Sequence, residues 1–358
     1  MSGALGQPQL PAKIDFGRTV RRVHVRGIWM RIDVRALVIG LVLVAVCIGI
    51  GILSLVNGEY PLTLQEVWRA LFVDSSGFDR TVVFEWRMPR AVSAIAFGAA
   101  LGASGAVFQS LTRNPLASPD ILGFSAGAYT GALIVIIVFG GTYLDVAAGA
   151  LAGGMATAAV VYLLAFKGGV QGFRLIIVGI AISAMLSSLN TWLTLKADLE
   201  TALVAAVWGA GSLNGMTWQQ TGVASVLVVV LLVVTLALSR PLRQLELGDD
   251  AAKALGVRVE PTRLVLMLVS VGLIAVVTAA AGPIAFIALA APQIARRVAG
   301  TAGVSVAASA LMGAALLSAS DFVALHALPA MLPVGTVTVV VGGGYLIWLL
   351  IHESKKRL

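Results

Sequence analysis

Four places in this 358-residue chain hold residues whose type and spacing could do chemistry. Gly123-Phe124-Ser125-Ala126-Gly127 fits G-x-S-x-G, the turn that presents a serine nucleophile. The only histidines, His24, His326 and His352, fall in the tails or at the far end of a predicted helix, out of reach of Ser125. The serine therefore reads as small-residue packing. Ser183, Ser187, Asn190 and Thr194 recur at i, i+4, i+7 and i+11, a polar stripe on one helical face. Such a stripe either lines a path for a bulky polar cargo or hydrogen-bonds to neighbouring helices. Thr336 and Thr338 offer a weaker version on a later helix. Asp250-Ala251-Ala252-Lys253-Ala254-Leu255-Gly256 reads as a short helix stopped by glycine, either a docking element or a solvated connector. Arg87 and Arg90 flank Pro89, which sits where a helix would start. Arginines at a helix end commonly snorkel to the membrane–water boundary.

Absent motifs narrow the chemistry. No G-x-x-x-x-G-K-[ST] occurs and no lysine follows a glycine, so the chain has no P-loop. If transport here is driven by ATP, a partner hydrolyses it, and the chain itself is not expected to be an enzyme. No His, Cys or Asp cluster has metal-ligand spacing, so neither a metal nor another cofactor is expected. If the cargo is iron, it travels already chelated. No ionisable residue lies near the centre of any predicted helix, which argues against proton coupling.

The elements that must position these residues are apolar helices. Hydrophobic residues make up 59% of the chain and charged residues 12%, and mean hydropathy is +0.96. That is too little charge to cover a soluble surface. Repeated apolar runs reach the ~20 residues that cross a bilayer as helix, the form in which a spanning backbone satisfies its own hydrogen bonds. The reading is an all-α polytopic membrane protein with ten transmembrane helices. They are placed at about 36–56, 90–110, 120–139, 143–166, 175–195, 218–239, 264–281, an eighth ending at Arg296-Arg297, 303–321 and 334–351. Residues 1–35 form a basic tail, 36–351 the membrane domain and 352–358 a second tail. The first apolar run is too long for a cleavable signal. Cys47, the only cysteine, lies in that run and carries no disulfide information.

The net charge of +8 does not point to nucleic acid, because of where the charge lies. Twenty of the 25 Lys and Arg fall in the tails and alternate loops, which places both termini in the cytoplasm. The longest inner loop is 240–263. Small residues recur every four positions at Ala94, Gly98, Gly102 and Ala106, and again at Gly123, Gly127 and Gly131. Both rows predict close helix packing.

The stretches RMPR at 87–90, GAALGASGAVFQ at 98–109 and RNPLASPDILGFSAGA at 113–128 resemble the FecCD family, the permease subunits of ABC importers for iron–siderophores, haem and cobalamin. WGAGSLNG at 208–215, GPIAFIALAAPQIARR at 282–297 and LPVGTVTVVVGGGYLIWLL at 332–350 continue the likeness. Within the family, EWRMPR at 85–90 and NTWLTLKADLETAL at 190–203 are most similar to the ferric enterobactin type. The resemblance implies a type II ABC importer permease fold and residence in the inner membrane. It further implies pairing with a second permease chain, cytoplasmic ATPase subunits and an extracytoplasmic siderophore-binding protein. It makes 240–263 a coupling loop, with Asp250, Ala251, Ala252, Leu255 and Gly256 facing the ATPase. Arg87 and Arg90 become docking residues for the binding protein, and the Ser183–Thr194 stripe with Thr336 becomes pathway lining. A haem or cobalamin permease is the alternative within this class, and a proton-coupled siderophore exporter the alternative outside it. Gln293 departs from the histidine that most members place after the proline. His326 lies near where some members carry another outer arginine.

Overall fold

The computed structural model describes residues 20–25, 28–73, 76–165, 172–301, 303–327 and 332–357. The expected tail 1–35 is described from residue 20, as an antiparallel hairpin of β1 (Val20–Val25) and β2 (Ile28–Asp33) that pairs Val20 with Asp33. Residues 1–19 of that tail, and most of the expected inner loop between Lys167 and Arg174, lie outside the described residues. Among the described residues, everything after the hairpin is helix and connection.

In chain order the helices are α1 (Val34–Val56), α2 (Leu64–Phe72), α3 (Phe78–Thr112), α4 (Phe124–Phe139), α5 (Tyr143–Ala165), α6 (Gly172–Lys196) and α7 (Leu199–Gly209). They continue as α8 (Trp218–Ala237), α9 (Ser239–Glu246), α10 (Asp249–Ala254), α11 (Val259–Ala281), α12 (Ile287–Ala299), α13 (Val306–His326) and α14 (Val334–Arg357). Among the described residues, seven (α1, α3, α5, α6, α8, α11 and α13) are long and apolar enough to cross a membrane. Three shorter apolar helices accompany them: α4, α7 and Val334–Leu349 of α14.

Local chemistry sets several helix starts. Thr63 and Glu66 form a reciprocal capping box on α2, and Thr217 and Gln220 form another on α8. Asp198 accepts from the Thr201 N–H at 2.9 Å and starts α7. The segment 196–217, expected to be a loop, therefore contains a helix.

The second expected span starts earlier than its sequence suggests. It begins at Phe78, passes through a π-helical stretch at Thr81–Arg87 and becomes α-helical at Met88. Pro89 explains the detour. A proline inside an α-helix has no N–H to give and its ring collides with the carbonyl four residues back. The π stretch adds a residue to the turn before it, so that Met88 N–H bonds to Val83 O. The carbonyl of Phe84 then accepts the Trp218 indole N–H at 2.6 Å.

α3 is the axis of the packing. Its small residues let other backbones approach where side chains would forbid it. A Cβ on Gly98 would lie 2.4 Å from Gly313 O, and one on Gly102 would lie 2.1 Å from Ser309 O, both on α13. On Gly105 it would lie 1.7 Å from Ala288 O on α12. Pro292 lies inside α12 and cannot donate to that carbonyl four residues back, so Gly105 covers an acceptor the helix leaves open. Ser104 and Ser270 bond at 2.9 Å to join α3 to α11, and Ser93 and Thr221 at 2.9 Å to join it to α8. A second small-residue seam joins α4 to α5, where Gly127 and Gly131 meet Gly153 and Gly149. Gly123 departs from the expected row. It precedes α4 as a left-handed cap at φ 84 and rests against Gly179 and Ser183 of α6.

Gly102→Val is expected to cost at least about 1–3 kcal/mol, the ordinary penalty for overpacking, because a backbone carbonyl is the obstacle. Gly49→Ala, with nothing within 4 Å of its Cβ, should be neutral. Thermal unfolding of the two variants in detergent checks this, and equal melting temperatures would contradict the packing.

Candidate functional site

Two sets of polar residues gather along α3, one around Arg90 and one around Arg113, ~35 Å apart at 1.5 Å per residue. At the Arg90 end, a cavity of about 610 Å³ is lined by Asn57, Glu59, Tyr60, Trp86, Asp321 and His326 together with Arg87 and Arg90. Neither arginine is an unengaged arm. Arg87 donates to Leu55 O at 2.7 Å and Tyr60 O at 2.5 Å, holding the chain between α1 and α2. Arg90 grips Asp321 of α13 with two bonds, at 2.8 and 2.9 Å, and also reaches Asn214 Oδ1. Asp321 is almost fully buried, with its side chain 3% exposed. This pairing of charge and bidentate geometry is strong. It spans 231 positions of sequence, so neither residue signals the other. His326 is exposed, stacks on Phe322 and bonds Phe322 O through Nδ1 at 2.9 Å. Tyr60 donates to Asp79 at 3.1 Å, which raises the phenol's pKa.

At the other end of α3, α10 is the expected short helix. Its glycine stop is built as anticipated: Gly256 has φ 85, its N–H reaches Lys253 O at 2.9 Å, and Val257 N–H reaches Ala252 O at 3.0 Å. Asp250, Ala251, Lys253, Leu255 and Gly256 are exposed. Ala252 is the exception: it is fully buried, and faces the body of the protein instead of a partner. One turn of helix cannot present consecutive alanines to the same side.

The polar stripe of α6 divides. Asn190 is buried and accepts from Thr130 Oγ1 of α4 at 2.7 Å, donating in turn to Ala126 O at 3.3 Å. It therefore works as an interhelical bond and does not line an open path. Ser187 is exposed, while Ser183 and Thr194 are half-buried, with Thr194 bonding Asn190 O at 2.9 Å. Thr336 is exposed at the start of α14 and bonds Pro333 O at 2.7 Å, whereas Thr338 is buried. Ser125 donates to Asp120 at 2.7 Å, with no histidine in that pair. Gln293 has a clear place: it is buried and donates to Gln109 Oε1 at 2.5 Å, and Gln109 donates to Leu289 O at 3.0 Å, tying α12 to α3.

A chain that is helical apart from one hairpin, with seven apolar spans among its described residues and polar machinery at both ends of the buried part of its central helix, is a multi-pass membrane protein. The family model for the FecCD transport family matches residues 43–352, and the chain belongs to that family. It is 51% identical over 324 residues to the ferric enterobactin transport system permease protein FepG of Escherichia coli, covering 90% of this chain and 98% of that one. It is 36% identical over 312 residues to the iron(3+)-hydroxamate import system permease protein FhuG of Bacillus subtilis, covering 84% and 93%. It is 33% identical over 308 residues to the hemin transport system permease protein HmuU of Yersinia pestis, covering 84% and 91%. A solved metal-chelate type ABC transporter in an inward-facing conformation superposes with a TM-score of 0.77 at 28% identity, covering 88% of this chain and 99% of that one.

Arg90→Gln leaves a buried carboxylate without its cation, and should destabilise the protein by about 3 kcal/mol. Combining it with Asp321→Asn should cost less than the sum of the two single changes. A double-mutant cycle on thermal unfolding measures the difference. Strict additivity would mean the pair is not coupled.

Proposed function

We propose that this chain is one permease half of an ATP-driven importer that carries a ferric siderophore of the enterobactin or other catecholate type across the cytoplasmic membrane. One observation carries the proposal: 51% identity to FepG over nearly the whole of both chains. The lower identity to HmuU, 33%, favours a siderophore over haem. The chain supplies no P-loop, so ATP hydrolysis falls to a partner ATPase. A second permease chain and an extracytoplasmic binding protein complete the assembly, and a heterodimer of permeases is the reading.

In this reading the chain spans the membrane ten times, with both termini cytoplasmic. The seven long apolar helices are joined by α4, α12 and α14. α7 then lies along the outer face. The distribution of Lys and Arg supports this arrangement. The loop 240–263 docks on the ATPase through the exposed face of α10, that is Asp250, Ala251, Leu255 and Gly256. Ala252 fixes α10 to the permease body from behind. Arg87 and Arg90 mark the docking face for the binding protein and hold its shape, because their own bonds are internal. Ser183, Ser187, Thr194 and Thr336 remain the polar lining of the path.

The reaction assigned to the chain is cargo movement without covalent change. ATP binding and hydrolysis by the ATPase seated on α10 would tilt the helices and switch access between the two faces. A path lined by hydroxyls suits this work, because weak and replaceable hydrogen bonds let a polar chelate enter and leave.

Deleting the gene should abolish radioiron uptake from a ferric catecholate siderophore, and the intact gene should restore it. Uptake should survive an uncoupler but require the ATPase. Unchanged uptake in the deletion strain, with binding protein and ATPase present, would move the cargo to another chelate. Sensitivity to the uncoupler alone would favour a proton-coupled carrier.

A further inference from the structure

The end of α3 closest to α10 carries a knot of charge that nothing above uses. Asp249, the first residue of α10, accepts from two arginines on one oxygen. Arg263 of α11 donates to Asp249 Oδ1 at 2.9 Å, and Arg113, at the end of α3, donates to the same atom at 3.1 Å. Arg113 also reaches Leu245 O at 2.8 Å, at the end of α9. Ser110, in the last turn of α3, bonds Glu246 at 2.6 Å. Arg263 adds Glu260 at 2.9 Å and is nearly buried, with its side chain 8% exposed. Burial pushes the Asp249 carboxyl up, but the bond and charge of Arg263 and the charge of Arg113 outweigh it and hold its pKa below the usual value.

The backbone of Arg113 is a second, independent sign. Its φ is 51 and its ψ 32, the left-handed conformation that ends a helix. Glycine adopts it without cost, whereas a side chain pays about 1 kcal/mol or more. The chain ends α12 with Gly300 and stops α10 with Gly256, both at positive φ, so glycine is its ordinary choice at such positions. At 113 it places an arginine instead, and the arginine's compensation is its grip on Leu245 and Asp249.

We infer that Arg113, Asp249 and Arg263 are positioning residues that transmit the displacement of α10 to the membrane helices. The inference rests on the importer reading. An ATPase pressing on Asp250, Ala251 and Leu255 moves a helix whose first residue is tied to two spans at once. Through Arg113 the motion enters α3, whose backbone contacts with α12 and α13 carry it to the Arg90 end. Through Arg263 it enters α11. Coupling of this kind travels through contiguous, stiff contacts, and no other described ion pair joins α10 to α3.

The test uses proteoliposomes holding the complete importer: both permease chains, the ATPase and the binding protein, with a ferric catecholate siderophore as cargo. ATP hydrolysis and cargo uptake are measured together for the wild type, Asp249→Asn, Arg113→Gln and Arg113→Lys. The asparagine and glutamine variants should co-purify with the ATPase at wild-type yield and still hydrolyse ATP. Each should consume about fivefold more ATP, or above, per cargo moved, within the usual range of site–site coupling. Arg113→Lys keeps the charge and should fall closer to wild type. Arg113→Gln leaves the Arg263–Asp249 bond in place, so it decides the matter if Asp249→Asn fails to assemble. An unchanged ratio in both variants overturns the inference. Loss of the ATPase from both also overturns it, because the knot would then only shape the docking surface. A wild-type importer that moves no ferric siderophore would instead sink the importer reading, which separates the two failures.

Discussion

Everything in this protein leans on how closely other backbones come to α3. In lipid, apolar side chains gain little by meeting one another, because the tails around them are as apolar as they are. Helices associate instead through van der Waals contact at short range and through hydrogen bonds. Gly98, Gly102 and Gly105 remove the atoms that would hold α13 and α12 away. The approach is so close that no side chain can replace them without moving a carbonyl. Ser93 then adds a hydroxyl bond to α8, and Ser104 and Ser270 exchange hydroxyl bonds with each other and with each other's carbonyl to join α11. A central helix packed this way is held on several sides at once.

How much of this could be read from sequence depends on the range of the interaction. Spacing of four residues exposed the Gly98–Gly102 seam, because both residues of each contact row lie on one helix. The glycine stop of α10 was legible for the same reason, its bonds spanning only a few residues. The π stretch before Pro89 was not, because proline usually marks a start and only the extra residue upstream lets the helix run through it. Arg90 with Asp321, and Arg113 with Asp249, are separated by 231 and 136 positions. Nothing local distinguishes such an arginine from one that snorkels. Asn190 shows the opposite error: a stripe of correct period is evidence for a face, but not for what the face meets. Ala252 shows how a motif read as one surface divides when it coils.

Charge is distributed with economy. Each end of α3 carries an arginine bound to a carboxylate that arrives from a distant part of the chain, and the long apolar middle carries none. At the Arg90 end the pair is nearly enclosed, so it behaves as a structural joint. At the Arg113 end the shared carboxylate is partly exposed and lies on a short surface helix. The two joints thus differ in exposure: one is enclosed by the helices, the other lies open to the surface. Arg35 repeats the theme on α1, donating to Val298 O at the C-terminal end of α12 at 3.0 Å, where a cation meets the negative end of the helix.

The π stretch at Thr81–Arg87 has a consequence for how this chain tolerates insertions and deletions. It amounts to one residue more than an α-helix needs over the same length. Deleting a single residue there would let the helix close into regular turns over the same length, and the segment upstream would keep its place. Phe78 would stay by the ring of Tyr60, 5.3 Å away, and Arg80 by the Ala70 carbonyl it holds at 3.1 Å. Pro89 would again press on the carbonyl behind it. Length variation is ordinarily absorbed by loops; here a helix has absorbed it, and the extra residue is held in place by the proline that follows.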